Sequence, residues 1–227
     1  SVSDGKAAKG VGIMKQAVIF AGAPVQPELQ PPVPQADLYL CADAGVRLAQ
    51  ALGIVPDRIM GDFDSLEGRA RRTDVRTIAL PALKDDPDML SALKVGWSAG
   101  CREFHVYGGL GGRIDHTISG IQLMALLARH GASGYLYGDG LIVTAITDGR
   151  LSFPAHPVPE DGRMVSAFSH SDVSLGVNEP GLKYELKDST LTNTVVQGVS
   201  NEFRDGVDAA ISVKRGTLIV TFPIEVA

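Results

Sequence analysis

REFHVYGGLGGRIDHTISGIQLMALLARHGASGYLYG, residues 102–138, holds in one stretch the pattern that decides the fold. REFHVY is a short apolar run of strand length, GGLGG is a turn, residues 116–130 carry apolar side chains at helical period, and GYLYG is a second strand candidate. Working outward, QAVIFAG, ADLYLCAD, DRIMGD and VRTIAL are further strand candidates, and residues 44–52 and 87–99 are further helix candidates. Strands alternating with helices predict crossover units and a mainly parallel sheet covered on both faces. Ligands of such sheets sit beyond the carboxyl ends of the strands, so acids and glycines that directly follow a strand are the candidates for function.

Beyond residue 140 the helical period disappears. LIVTAITDG, RLSFPA, RMVSAFS, LKYELKD, AAISVKR and TLIVTF are strand candidates separated by turns rich in Gly, Pro, Asn and Asp. The expectation is therefore an α/β N-terminal domain, residues 14–138, followed by an all-β C-terminal sandwich domain, residues 139–227. Residues 23–37, APVQPELQPPVPQAD, hold five prolines. Proline lacks the amide hydrogen a helix needs, so this stretch reads as an extended surface loop.

Composition narrows the function. The chain has 227 residues, 44% apolar and 21% charged, enough to bury a core. With 26 acidic against 21 basic side chains and no clustered Lys or Arg excess, it is not expected to bind nucleic acid. Cys41 and Cys101 are the only cysteines and lack CxxC spacing, which speaks against a disulfide scaffold and for a reducing, cytoplasmic setting. No apolar run approaches the roughly 18 residues of a membrane span.

Four motifs follow strands. CADAG places Asp43 after the second strand. GDFDS places Asp62 and Asp64 after the third, on one side of an extended segment. KDDPDML, with Lys84, Asp85, Asp86, Pro87 and Asp88, follows the fourth and starts a helix. Asp86 suits the N-cap and Pro87 the first helical position. Each Asp is also an ordinary turn former or cap, but the paired carboxylates are the hard oxygen ligands that Mg²⁺ takes together with substrate phosphates. GGLGGRIDH follows the fifth strand. Its backbone amides and the helix N-terminus attract an anion, Arg113 offers a bidentate fork, and His116 stands at the helix start as a positioning residue. It is not a Walker A loop, because Arg113 and Ile114 stand where Lys and Ser or Thr are required.

Taken in order, Asp43 in DAG, GDFDS, KDxxD, GGRIDH, GLKYEL and VSNEF resemble the thiamine pyrophosphokinase (thiamine diphosphokinase) family, from about Val18 to Val220. The resemblance implies an enzyme that transfers pyrophosphate from ATP to the thiamine hydroxyl, giving thiamine diphosphate and AMP. It further implies Mg²⁺ as cofactor, ATP and thiamine as substrates, and a homodimer with active sites at the subunit interface. Carried over by position, it assigns Asp62, Asp64, Asp85 and Asp88 to the metal. Asp64, Asp85 and Arg113 fall to catalysis, and Asp43, Lys84, Arg113, Asp115 and His116 to the nucleotide. Ser200 and Asn201 fall to thiamine. The chain departs from the family pattern at Pro87, where Thr is usual, and at Gly120, where Asn is usual. It also departs at Val220, which stands near where eukaryotic relatives place a Trp.

Chemistry agrees. An alcohol attacking the β-phosphorus of ATP develops charge on phosphate oxygens, which a carboxylate-held cation and an Arg stabilise. Asp64 and Asp85 are both candidates to accept the hydroxyl proton. Two rivals are an aspartate-dependent phosphatase or phosphotransferase using Asp62 and Asp64, and a catalytically impaired thiamine- or nucleotide-binding protein. Seven strand-end acids account for the acid surplus, since without Asp43, Asp62, Asp64, Asp85, Asp86, Asp88 and Asp115 the count would be 19 acidic against 21 basic.

Overall fold

The computed structural model describes residues 14–60, 76–77, 88–159 and 163–226. The strands are β1 (Gln16–Phe20), β2 (Leu38–Ala42), β3 (Arg58–Met60), β4 (Arg76–Thr77), β5 (Glu103–Tyr107), β6 (Ser133–Tyr137) and β7 (Leu141–Thr147). They continue with β8 (Arg150–Phe153), β9 (Met164–Ser169), β10 (Val173–Val177), β11 (Ser189–Thr192), β12 (Asn201–Glu202), β13 (Ala209–Ser212) and β14 (Thr217–Pro223). The helices are α1 (Val46–Ala51), α2 (Asp88–Ser98) and α3 (Ile114–Arg129). Each of the three falls within two residues of its sequence expectation, because in each the apolar stripe is long enough to select a helical period.

One ten-stranded mixed sheet, in the order β12-β9-β14-β7-β6-β5-β1-β2-β3-β4, runs through the molecule. From β6 to β4 all pairings are parallel, and from β6 to β12 all are antiparallel. Strand alternation sorts the core into two layers. Ala17, Ile19 and Ala21 face α2 and α3, packing with Leu93, Met124 and Leu127. Val18 and Phe20 face the other way, toward α1, Tyr107, Tyr137 and the apolar side chains of the C-terminal strands, among them Phe153, Val177 and Phe222. Residue 138, the expected domain boundary, lies in a tight turn closed by the Gly138 amide donating to the Leu141 carbonyl, between two neighbouring strands of this sheet.

The proline-rich stretch replaces a helix in the β1–β2 connection. Apart from a single 3-10 turn at Pro27–Leu29 it is extended, and Val25, Val33 and Ala36 pack on the core. Tyr107 donates its hydroxyl to the Pro32 carbonyl, and the Gln26 amide donates to Asp139.

One strand expectation is corrected. LKYELKD forms no strand and contributes only an isolated bridge from Leu182 to Phe203. The backbone groups of Tyr184 that a ladder would use are taken instead by the Asn201 side chain, and the Glu185 carboxylate accepts the Gly181 amide. Strands β10 and β11 form where sequence periodicity predicts none, paired with each other across a bulge between Ser174 and Val177. Among the described residues no helix is long and apolar enough to cross a membrane.

Candidate active site

The first strand is the switch point of the parallel half: β2, β3 and β4 lie to one side of β1, and β5 and β6 to the other. A crevice opens at such a point beyond the carboxyl ends of the two diverging strands. Here its floor is drawn tight by backbone contacts. The Ala21 amide donates to the Tyr107 carbonyl at 2.8 Å and the Ala23 amide to the Gly108 carbonyl at 3.0 Å. Two glycines make the approach possible. A β-carbon on Gly45 would collide with the Phe20 carbonyl. Gly108, at φ +67°, would place one 2.7 Å from the Ala21 carbonyl oxygen. The DAG motif and the glycine-rich turn are therefore brought onto the end of β1, although they lie more than sixty residues apart in sequence.

The glycine-rich turn leads into α3. The Gly111 amide donates to the Thr117 hydroxyl, folding the turn back on the first helical turn. Arg113 is the N-cap residue and pairs through its Nε and Nη2 with both carboxylate oxygens of Asp115, at 3.1 and 2.5 Å. The pair raises the guanidinium pKa and holds the Asp115 carboxyl below its usual range. Both side chains are largely exposed, at 71% and 60%, so this pair adds little to stability and leaves the guanidinium accessible to an anion. His116 is exposed one residue further on. Pro24 of the proline-rich connection closes over Gly112, a neighbour that no local sequence signal reveals.

Of the candidate acids in the first three motifs, Asp43 and Asp88 fall within the described residues. Asp43 directly follows β2 in a 3-10 turn, its backbone placed beside the crevice. Asp88 is half-buried in the first turn of α2, where a carboxylate complements the helix dipole. Arg102 pins the last turn of α2 to the start of β5 by donating to the Trp97 carbonyl at 3.1 Å. Asp88, about 15 Å back along an ideal helix, therefore stands toward the opposite, carboxyl edge of the sheet. Asp62, Asp64, Lys84 and Asp85 lie outside the described residues. Among those described, no three His, Cys, Asp or Glu side chains form a cage for a metal.

Ser200 and Asn201 are brought to a separate corner in the C-terminal half. Ser200 is exposed, adopts φ 59°, and is held by its amide donating to the buried Ser166 hydroxyl at 3.0 Å. Asn201 is 4% exposed, and its amide side chain is fully used within the chain. Its Nδ2 donates to Glu179 Oε2 and the Tyr184 carbonyl, while its Oδ1 accepts from the Tyr184 and Glu202 amides. Asn201 is thus a bracket that shapes the corner, and Ser200 is the member of the pair that faces solvent. Gly120 packs against Leu136 and faces the Gly109 carbonyl, and Val220 is fully buried between β7 and β9. Glu179 carries no recognisable sequence signal, because its partner is 22 residues away, at the start of β12.

Residues 30–136 match the model of the thiamin pyrophosphokinase catalytic domain, a span that runs from the proline-rich connection to β6 and includes DAG and the glycine-rich turn. A thiamine pyrophosphokinase of Bacillus subtilis (strain 168) is 27% identical over 197 residues, covering 83% of this chain and 90% of its own. The crystal structure of thiamine pyrophosphokinase from Bacillus subtilis superposes with a TM-score of 0.76 at 26% identity, over 92% of this chain and 99% of its own. That of Geobacillus thermodenitrificans has the same fold at TM-score 0.75 and 23% identity, over 92% and 97%.

Proposed function

We infer that this chain, which belongs to the thiamine pyrophosphokinase family, is the enzyme that transfers pyrophosphate from ATP to the hydroxyl of thiamine, yielding thiamine diphosphate and AMP. What carries the reading is the match of residues 30–136 to the family's catalytic domain, supported by the glycine-rich turn and Arg113, which the β1/β5 switch point brings beside the backbone of Asp43.

In this reading residues 14–138 receive ATP and residues 139–227 supply the thiamine side. The amides of the glycine-rich turn and the start of α3 receive phosphate oxygens. Arg113, oriented by Asp115, turns its fork to the pyrophosphoryl group and opposes the charge that develops as the thiamine hydroxyl attacks the β-phosphorus. Asp64 or Asp85 accepts the hydroxyl proton, and Asp43, Lys84 and His116 complete the nucleotide contacts. Hard carboxylate oxygens fit a magnesium ion, and Asp62, Asp64, Asp85 and Asp88 would hold it. When bound, Mg²⁺ neutralises phosphate charge in the transition state. Ser200, presented by the Asn201 bracket, contacts thiamine. The enzyme works in the cytoplasm as a homodimer; exposed Phe168, Val195 and Val196 suit a contact between copies.

The test is to incubate the protein with ATP, Mg²⁺ and thiamine and to identify the products. Thiamine diphosphate with AMP is expected. Formation of ADP or of free phosphate refutes the reading.

A further inference from the structure

Glu179 is the one buried carboxylate of the described residues that the mechanism does not use, with 1% of its surface exposed. Its Oε2 accepts from Asn201 Nδ2 at 2.8 Å, and its Oε1 has no hydrogen-bond partner among the described residues. Among the described residues no cation pairs with it. Of the charged groups around it, Lys183 is bound to Glu202 at 2.8 Å, and Lys187 lies 3.7 Å from Glu185. On β9, Ala167, whose carbonyl lies beside Gly198 as Glu179 Oε1 does, carries no charge. An ionised carboxylate left half-bonded in an apolar setting is very costly, whereas a protonated one with a single accepted hydrogen bond is not. Burial indeed pushes the Glu179 carboxyl up, and the Asn201 hydrogen bond offsets this only in part.

Glu179 also stands at a junction. Its backbone amide donates to the Leu186 carbonyl, which ties it to the irregular LKYELKD segment. Through Asn201 it reaches the Tyr184 backbone and the Glu202 amide. Its orphan oxygen lies 3.6 Å from where a β-carbon on Gly198 would stand, under the loop that leads into Ser200. Glu179 Oε2 supplies one of the four hydrogen bonds that hold the Asn201 amide where it bridges both Tyr184 backbone groups.

We propose that Glu179 is the positioning residue of the Ser200–Asn201 corner: in its uncharged form it locks the Asn201 amide and thereby presents Ser200 to thiamine. This rests on the functional reading above. Glutamine copies an uncharged Glu179, since its carbonyl still accepts from Asn201, whereas leucine keeps the volume and loses the acceptor.

Steady-state kinetics of wild type, Glu179→Gln and Glu179→Leu test the proposal together with amide hydrogen exchange at Tyr184 and Glu202. Glu179→Gln should keep both KM values within about twofold of wild type, and Glu179→Leu should raise the thiamine KM about tenfold at unchanged ATP KM. Exchange at Tyr184 and Glu202 should quicken in Glu179→Leu alone. If glutamine is as harmful as leucine, the charge is needed and the proposal fails. It fails equally if leucine leaves the thiamine KM unchanged or raises the ATP KM as much. Should Glu179→Leu not fold, infrared difference spectra of wild type against Glu179→Gln decide the matter. A protonated-carboxyl band at neutral pH supports the proposal, and an ionised carboxylate overturns it. Failure of the functional reading shows separately, as wild-type protein that makes no thiamine diphosphate while exchange at Tyr184 still answers to Glu179.

Discussion

Gly108 and Gly53 have nearly the same left-handed backbone, φ +67° and +72°, but opposite surroundings. A β-carbon at Gly53 would meet nothing within 4 Å, whereas at Gly108 it would stand 2.7 Å from the Ala21 carbonyl oxygen and 3.0 Å from Leu48 Cδ2. Gly53→Ala therefore isolates the cost of forcing an L-residue into this conformation, about 1–2 kcal/mol. Gly108→Ala adds the overlap with backbone, which cannot swing aside as a side chain can. Overpacking of this kind costs about 1–3 kcal/mol more. Taking about 2 kcal/mol for the difference, and roughly 2–4 °C per kcal/mol for a chain of this size, Gly108→Ala should melt about 4–8 °C below Gly53→Ala. It should also bind ATP more weakly, since the turn can relieve the overlap only by moving away from β1, while Gly53→Ala should bind ATP as wild type does. Thermal unfolding and calorimetric ATP titration of the two variants measure both effects. Equal melting temperatures, or unimpaired ATP binding by Gly108→Ala, would refute the claim that the β1/β5 approach builds the nucleotide site.

Arg113→Ala should lower kcat/KM about a hundredfold, as loss of one charge-stabilising donor typically does. Because the Arg113–Asp115 pair is exposed and screened by solvent, the melting temperature should stay close to that of wild type; a large fall in stability without a fall in turnover would show a structural role only. His105 is buried between the Tyr137 hydroxyl at 2.8 Å and Glu103 at 3.0 Å, and burial lowers its pKa against the opposing pull of Glu103. The folded chain thus binds fewer protons there than the unfolded one. The stabilisation is present above the ordinary histidine value near 6.5 and is lost as pH falls through the lowered folded value. Urea midpoints should accordingly fall between pH 7.5 and 5, and His105→Gln should flatten that slope; an unchanged slope in the variant would dismiss His105 as its source.

The alternation of short apolar runs with helical stripes is enough to place α1, α2, α3 and the strands of the parallel half, because each signal is complete within one continuous local stretch. LKYELKD shows where that logic stops. Its alternation is as strand-like as that of AAISVKR, yet Asn201 captures the backbone groups of Tyr184 and no ladder forms. Sequence likewise singled out the glycine-rich turn and Arg113 as parts of a site. It could not reveal that Pro24 closes on Gly112, or that Ser166 and Glu179 support Ser200 and Asn201.

By itself, then, the sequence determined the element types of the parallel half, the acid-rich and glycine-rich motifs at strand ends and the family they resemble, all of which are written in local spacing and order. Tertiary structure alone decided that one sheet passes through both halves of the chain, that DAG and GGLGG meet on the end of β1, and that Asn201 is a bracket rather than an open contact. Those outcomes depend on which distant groups compete for the same backbone hydrogen bonds and the same space, and that competition is settled only when the chain has folded.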